Sequence, residues 1–159
     1  MPLWRCPVCG QRFVSRNMPH SCHVVPLEQF FDGAAPELRE LFEQFVAAVG
    51  ADVTVNVTKS RIALQARMRF AGIQRPRRRY LLANFVLTRP VESERLARVE
   101  FVPPYYYVHK LRLSGPADVD GELRGWLAEA YQVGEQRHVR DPAWPREREP
   151  PDWVHVPSS

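Results

Sequence analysis

The chain has 159 residues, 45% of them apolar, and a formal net charge of +4, enough for one ordinary domain with a buried core plus a small appended module. No apolar run comes near the roughly 18 residues that a membrane-spanning helix needs. The opening Met1-Pro2-Leu3-Trp4-Arg5-Cys6 has no apolar stretch of the kind a secretory leader requires, so a cytoplasmic protein is expected.

Residues 1–23 form a cysteine module. All three cysteines lie here, an odd number that argues against a disulfide framework and for a metal. In Cys6-Pro7-Val8-Cys9-Gly10 the two-residue gap lets both sulfurs reach one tetrahedral ion, and Gly10 relieves crowding where the chain folds back. His20 and Cys22 are separated only by Ser21, and in an extended segment residues two apart project to the same side. Cys6, Cys9, His20 and Cys22 therefore predict a closed structural Zn2+ site, with Trp4 and Phe13 covering it. The alternatives are free buried cysteines or a redox Cys-x-x-Cys pair, which Pro7, Gly10 and the downstream His-x-Cys fit poorly. His23 is the alternative fourth ligand in place of His20 or Cys22.

Residues 24–134 read as an α+β domain. A short helical turn around Leu27–Phe31 precedes a helix over 36–49, whose Leu38, Leu41, Phe42, Phe45, Val46 and Val49 make one apolar stripe closed by Gly50. The period then changes to two. Val53, Val55 and Val57 mark a first strand; Ile62, Leu64, Ala66, Met68 and Phe70 are one face of a second over 61–70; Gly72 and Arg75-Pro76-Arg77-Arg78-Arg79 read as a turn. Further strands are predicted at about 79–88, 96–101 and 106–113. Connections this short leave no room for crossover helices, so the five-stranded sheet is expected to be mainly antiparallel. A second helix spans about 117–133 with Val119, Leu123, Trp126, Leu127, Ala130 and Tyr131 on its apolar face and Gly134 as its stop. Residues 135–159 hold five of the fifteen prolines among charges and read as a largely mobile tail, although Trp144 and Trp153 would suit docking on the domain.

Charge is unevenly spread. Residues 59–112 carry thirteen basic residues against three acidic ones, a local net of +10, whereas 24–52 carries −5. If the strand over 61–70 buries its apolar side, Arg61, Gln65, Arg67 and Arg69 occupy the other, with Lys59 and Ser60 before it and His109, Lys110 and Arg112 on the last strand. Lys59, Ser60, Arg61, Arg67, Arg69, His109 and Arg112 are the expected ligand set for an anion, because guanidinium groups suit bidentate contact with phosphate or carboxylate. The partner is either nucleic acid, with Tyr105, Tyr106 and Tyr107 stacking on unpaired bases, or a small phosphorylated or carboxylated ligand. The competing reading is a solvated sheet face whose arginines pair with Glu28, Glu37 or Glu40.

Three separated blocks carry a resemblance to a known family. They are Trp4-Arg5-Cys6-x-x-Cys9-Gly10-x-x-Phe13 with His20-Ser21-Cys22; Thr58-Lys59-Ser60-Arg61-Ile62-Ala63-Leu64-Gln65-Ala66-Arg67 with Phe70-Ala71-Gly72; and Tyr107-Val108-His109-Lys110-Leu111-Arg112-Leu113 with Leu123-Arg124-Gly125-Trp126-Leu127 and Tyr131-x-Val133-Gly134. Over about 4–134 the chain resembles the bacterial proteins grouped as domain of unknown function 5655, in the version with an N-terminal cysteine module, and is distantly similar to YdhG-type domains. The resemblance implies a compact α+β domain and brings no activity.

No phosphate-binding glycine loop, dinucleotide fingerprint, H-E-x-x-H or G-x-S-x-G elbow is present. The expected protein is thus a zinc-stabilised, non-enzymatic binding domain for an anionic partner, with a protein–protein adaptor built on the knuckle or tail as the alternative. A small hydrolase using Glu100 and His109 as cross-strand base and acid is the third reading.

Overall fold

The computed structural model describes residues 2–7, 12–14, 25–49 and 53–157. The first two strands, β1 (Trp4–Arg5) and β2 (Arg12–Phe13), pair as a small antiparallel hairpin. A four-residue helix, α1 (Leu27–Phe30), leads into α2 (Pro36–Val49). Six strands follow: β3 (Thr54–Val57), β4 (Arg61–Gln65), β5 (Arg69–Gln74), β6 (Leu81–Leu87), β7 (Leu96–Val102) and β8 (Tyr106–Leu113). A 3-10 turn over Pro116–Asp118 precedes α3 (Gly121–Gly134), and α4 (Arg137–Arg140) comes last. The apolar stripe of α2 is buried as its spacing predicts, at Leu38, Leu41, Phe42, Phe45 and Val49. Its proposed stop, Gly50, lies outside the described residues. No helix is long and apolar enough to cross a membrane among the described residues.

The six strands form one antiparallel sheet in the order β3–β4–β5–β6–β8–β7. The expected single strand over 61–70 is two. Ala66–Met68 turns the chain back, with the Arg67 and Met68 amides both donating to the Gly134 carbonyl at 2.9 Å. Alternation alone cannot separate one long strand from two short ones, since the register shift at Leu64/Gln65 lets Phe70 and Ala71 both be buried after the turn. Gly72 accordingly sits inside β5 rather than in a turn. A Cβ there would meet the Ile62 carbonyl oxygen at 2.7 Å, so only glycine permits the close pairing with β4.

Helices α2 and α3 cover one face of the sheet, burying Ile62, Leu64, Ile73, Leu81, Phe85 and Leu111 beneath them. Gly134 ends α3 for a packing reason: a Cβ there would run into the Phe70 ring. The left-handed residue after the helix is Gln136, with φ 61°.

The segment after Gly134 is docked on the domain, which replaces the expectation of a mobile tail. Trp144 Nε1 donates to Thr88 Oγ1 at 3.1 Å, the Glu147 amide donates to the Thr88 carbonyl at 2.9 Å, and Tyr107 donates its hydroxyl to the Glu147 carbonyl at 2.7 Å. His155 then bridges β7, accepting from the Phe101 amide and donating to the Val99 carbonyl, both at 2.8 Å. This places Val154 in a second small core with Val99, Phe101 and Tyr107. Aromatic anchors and backbone hydrogen bonds hold a proline-rich chain here with little regular structure.

A candidate anion site on the open face of the sheet

Opposite the helices, β4, β5, β6 and β8 present a different set of side chains. Register pairs Ala63 with Gly72, Gly72 with Asn84, and Asn84 with Lys110 across this outer face. At one end Arg61 lies across from Gln74, and Arg112 lies across from Leu82. The loop after β5 folds up beside them, its Arg75 amide donating to the Ser60 carbonyl at 2.8 Å.

That corner encloses a cleft of about 420 Å³ lined by Ser60, Arg61, Gln74, Arg75, Pro76 and Arg77. Lys59 and Arg75 line a neighbouring cavity of about 290 Å³ with Asp32. A third, smaller groove of about 190 Å³ runs along the outer face over Ala63 and Gly72, flanked by Arg61, Arg69, Gln74 and Asn84. Among the described residues, ion pairs engage Arg39, Arg89, Arg95, Arg98 and Lys110, and none engages Lys59, Arg61, Arg75, Arg77 or Arg112. Glu28, Glu37 and Glu40 form no ion pair with this face. Arg112 instead packs over the Tyr80 ring, 4.5 Å from its centroid. Burial, and then the nearby Arg61 charge, hold the Arg69 guanidinium below its ordinary value.

Of the expected ligand set, the fold therefore gathers Lys59, Ser60 and Arg61 at one corner, with Arg112 at the same end of the face and Arg69 along the groove. Arg67 sits apart, on the turn between β4 and β5, donating to Gln136 Oε1 at 3.3 Å. His109 is corrected outright. It lies on the helix-covered face with no exposed surface, its ring stacked 4.8 Å from Phe85. Its Nε2 accepts from the Val91 amide at 3.0 Å, and burial pushes its pKa down to about 4. Glu100 pairs across from Val108 and so faces the opposite side. It accepts from Lys110 Nζ at 2.9 Å and lies 3.2 Å from Arg98, and the Lys110 hydrogen bond leads in holding its carboxyl below the usual range. Glu100 and His109 cannot exchange a proton through the sheet between them.

The tyrosine triplet is likewise occupied. Tyr107 is buried, Tyr106 hydroxyl lies 2.8 Å from His138 Nε2, and Tyr105 packs against Arg146 and Arg148. None presents an open ring for base stacking. Sequence reasoning missed Gln74, Arg75, Arg77 and Asn84. The run Arg75-Pro76-Arg77-Arg78-Arg79 was a visible signal for the arginines, since a turn needs no such charge; nothing in the alternation marks Asn84.

Residues 27–134 match the family described as a domain of unknown function, DUF5655. The chain belongs to this family. No curated protein and no solved structure matches it. The cleft and the groove are built wholly from the DUF5655 region, whereas the β1–β2 hairpin and the docked C-terminal segment lie outside it.

The hairpin nonetheless rests on the outer face of the DUF5655 sheet. Arg12 Nη2 donates to Thr54 Oγ1 at 2.7 Å, Gln65 Nε2 donates to the Arg12 carbonyl, and Asn56 Nδ2 supports Gln65 Oε1 at 3.1 Å. Arg69 lies over the Phe13 ring, 5.8 Å from its centroid. Cys6 is buried at the end of β1, and Trp4 and Phe13 lie 6.2 Å apart beside it. The other expected zinc ligands, Cys9, His20 and Cys22, and the alternative His23, lie outside the described residues. Among the described residues no three His, Cys, Asp or Glu side chains gather around a common point. The Cys6 thiol, buried just after β1, is a donor of the kind the first position of a zinc knuckle requires.

Proposed function

We propose that this protein is a non-enzymatic binding domain that takes a phosphate-bearing ligand on the open face of its sheet. The observation that carries this is the corner cleft, where Arg61, Arg75 and Arg77 meet around Ser60 with no described carboxylate to match them. Crowding three guanidinium groups around one cavity raises their mutual repulsion, and a bound phosphate relieves it through bidentate hydrogen bonds that a hydroxyl and an amide can supplement. The cleft's volume of about 420 Å³ lies in the range of small-ligand sites.

In the same proposal, Cys6, Cys9, His20 and Cys22 hold a structural Zn2+ ion, with His23 as the alternative fourth donor. The metal would brace the hairpin that supports Gln65 and Arg69, and would supply no step of chemistry.

Two measurements test the reading. Metal analysis of purified protein is expected to return one zinc per chain. Pyrophosphate is expected to raise the melting temperature at low salt, with Arg61→Ala and Arg77→Ala each abolishing the rise. No rise with any phosphate compound would overturn the binding proposal. The adaptor alternative draws on Trp153 and Val156, exposed by 43% and 54% on the docked C-terminal segment. It would then gain ground if partner recovery depended on residues 141–157.

A further inference from the structure

We propose that the ligand is a single nucleotide, its phosphate in the corner cleft and its base lying on Ala63 and Gly72 in the adjoining groove. This rests on the phosphate reading above and names the class of molecule.

Four features point to it. The cleft and the groove adjoin, because Arg61 and Gln74 line both. The floor of the groove is small: Ala63 and Gly72 are register partners, and neither carries a side chain beyond a methyl group. Arg61 flanks this floor, and a guanidinium plane stacks on a base as readily as it pairs with phosphate. Polar amides stand at the groove's side. Asn84 Nδ2 lies 3.5 Å from where a Cβ of Gly72 would be, and no described residue hydrogen-bonds the Asn84 amide. An amide carries both donors and an acceptor, which suits the mixed edge of a nucleobase and not a second phosphate.

The length of the site favours one nucleotide over a strand. From Arg61 to Gln65, β4 advances roughly 13 Å at about 3.3 Å per residue. At the far end the groove meets Arg69, which the hairpin covers through Phe13. The aromatic rings that could have continued a stack, Tyr105 to Tyr107, are packed elsewhere.

Calorimetric titration of the full chain at low salt with pyrophosphate, ribose 5-phosphate, adenosine monophosphate and uridine monophosphate tests the inference. At least one nucleoside monophosphate is expected to bind about tenfold more tightly than ribose 5-phosphate, the margin a stacked base supplies. Asn84→Ala is expected to remove that margin and leave pyrophosphate binding unchanged, which also shows that the variant is folded. Ala63→Leu, which fills the floor, should act in the same way. Equal binding of ribose 5-phosphate and both nucleotides would overturn the base site while leaving the phosphate reading intact. Binding of no phosphate compound would remove both. An oligonucleotide that outcompetes the monophosphates, with affinity falling steeply between about 50 and 200 mM salt, would make the ligand a strand and overturn the single-nucleotide site.

Discussion

Tyr107, His109 and Leu111 of β8 face the core while Val108, Lys110 and Arg112 face outward, so neighbouring residues meet different surroundings. His109 pays for its place in the core with its charge. An imidazole protonates near 6.5 in the unfolded chain but only at about 4 in this fold, where burial chiefly, and the Arg89 charge after it, disfavour the protonated ring. Between those values the unfolded chain binds more protons, so stability is fully present above about pH 6.5 and drains as the pH falls toward 4. The slope attributable to this one group is at most about 1.4 kcal/mol per pH unit. Urea midpoints measured from pH 7.5 to 4.5 are expected to fall more steeply for the natural protein than for His109→Gln, which cannot titrate. Parallel curves would show that His109 is not responsible. On the outer face the same alternation places Arg112 at the same end of the sheet as Arg61, so the strand's two sides cannot form one ligand set with the inward-facing His109.

At the scale of elements, β4 and β5 show what periodicity can and cannot convey. The alternating apolar residues over 61–70 mark half-buried chain but not its break at 66–68, and Arg61 and Arg69 stand at exposed positions of two separate strands. Where the chain turns is decided by α3, whose terminal Gly134 carbonyl receives two amides from the turn and whose missing Cβ makes room for Phe70. The C-terminal segment is a parallel case. Its composition reads as disordered, yet Val154 closes a core that Val99, Phe101 and Tyr107 would otherwise expose beyond the reach of the helices. Val154→Ala is expected to lower the unfolding free energy by about 2 kcal/mol, the contribution of burying a side chain of that size. An unchanged urea midpoint would mean that the segment is dispensable to the fold.

For the molecule as a whole, the helices cover one side of the sheet and the N-terminal hairpin sits on a corner of the other, and among the described residues nothing covers the arginine-rich end. If zinc braces that hairpin, removing it should loosen Gln65 and the Phe13–Arg69 contact and so weaken the groove more than the corner cleft. Treatment with a chelator is accordingly expected to reduce nucleotide affinity several-fold while leaving most of the binding of pyrophosphate, and added Zn2+ should restore it. Loss of both to the same degree would mean that the metal supports the whole domain.

The amino-acid order by itself determined the α+β class, the apolar stripe of α2, the antiparallel sheet and the concentration of positive charge between 59 and 112, because these depend on local period and on counting. Only the tertiary structure decided that Arg75 and Arg77 join Ser60 and Arg61 around one cleft, that His109 turns inward, and that the proline-rich end is part of the core. Those outcomes arise from contacts between segments far apart in the chain. Alternation says that a residue lies on one face or the other, and packing across the sheet settles which face meets helices and which meets water.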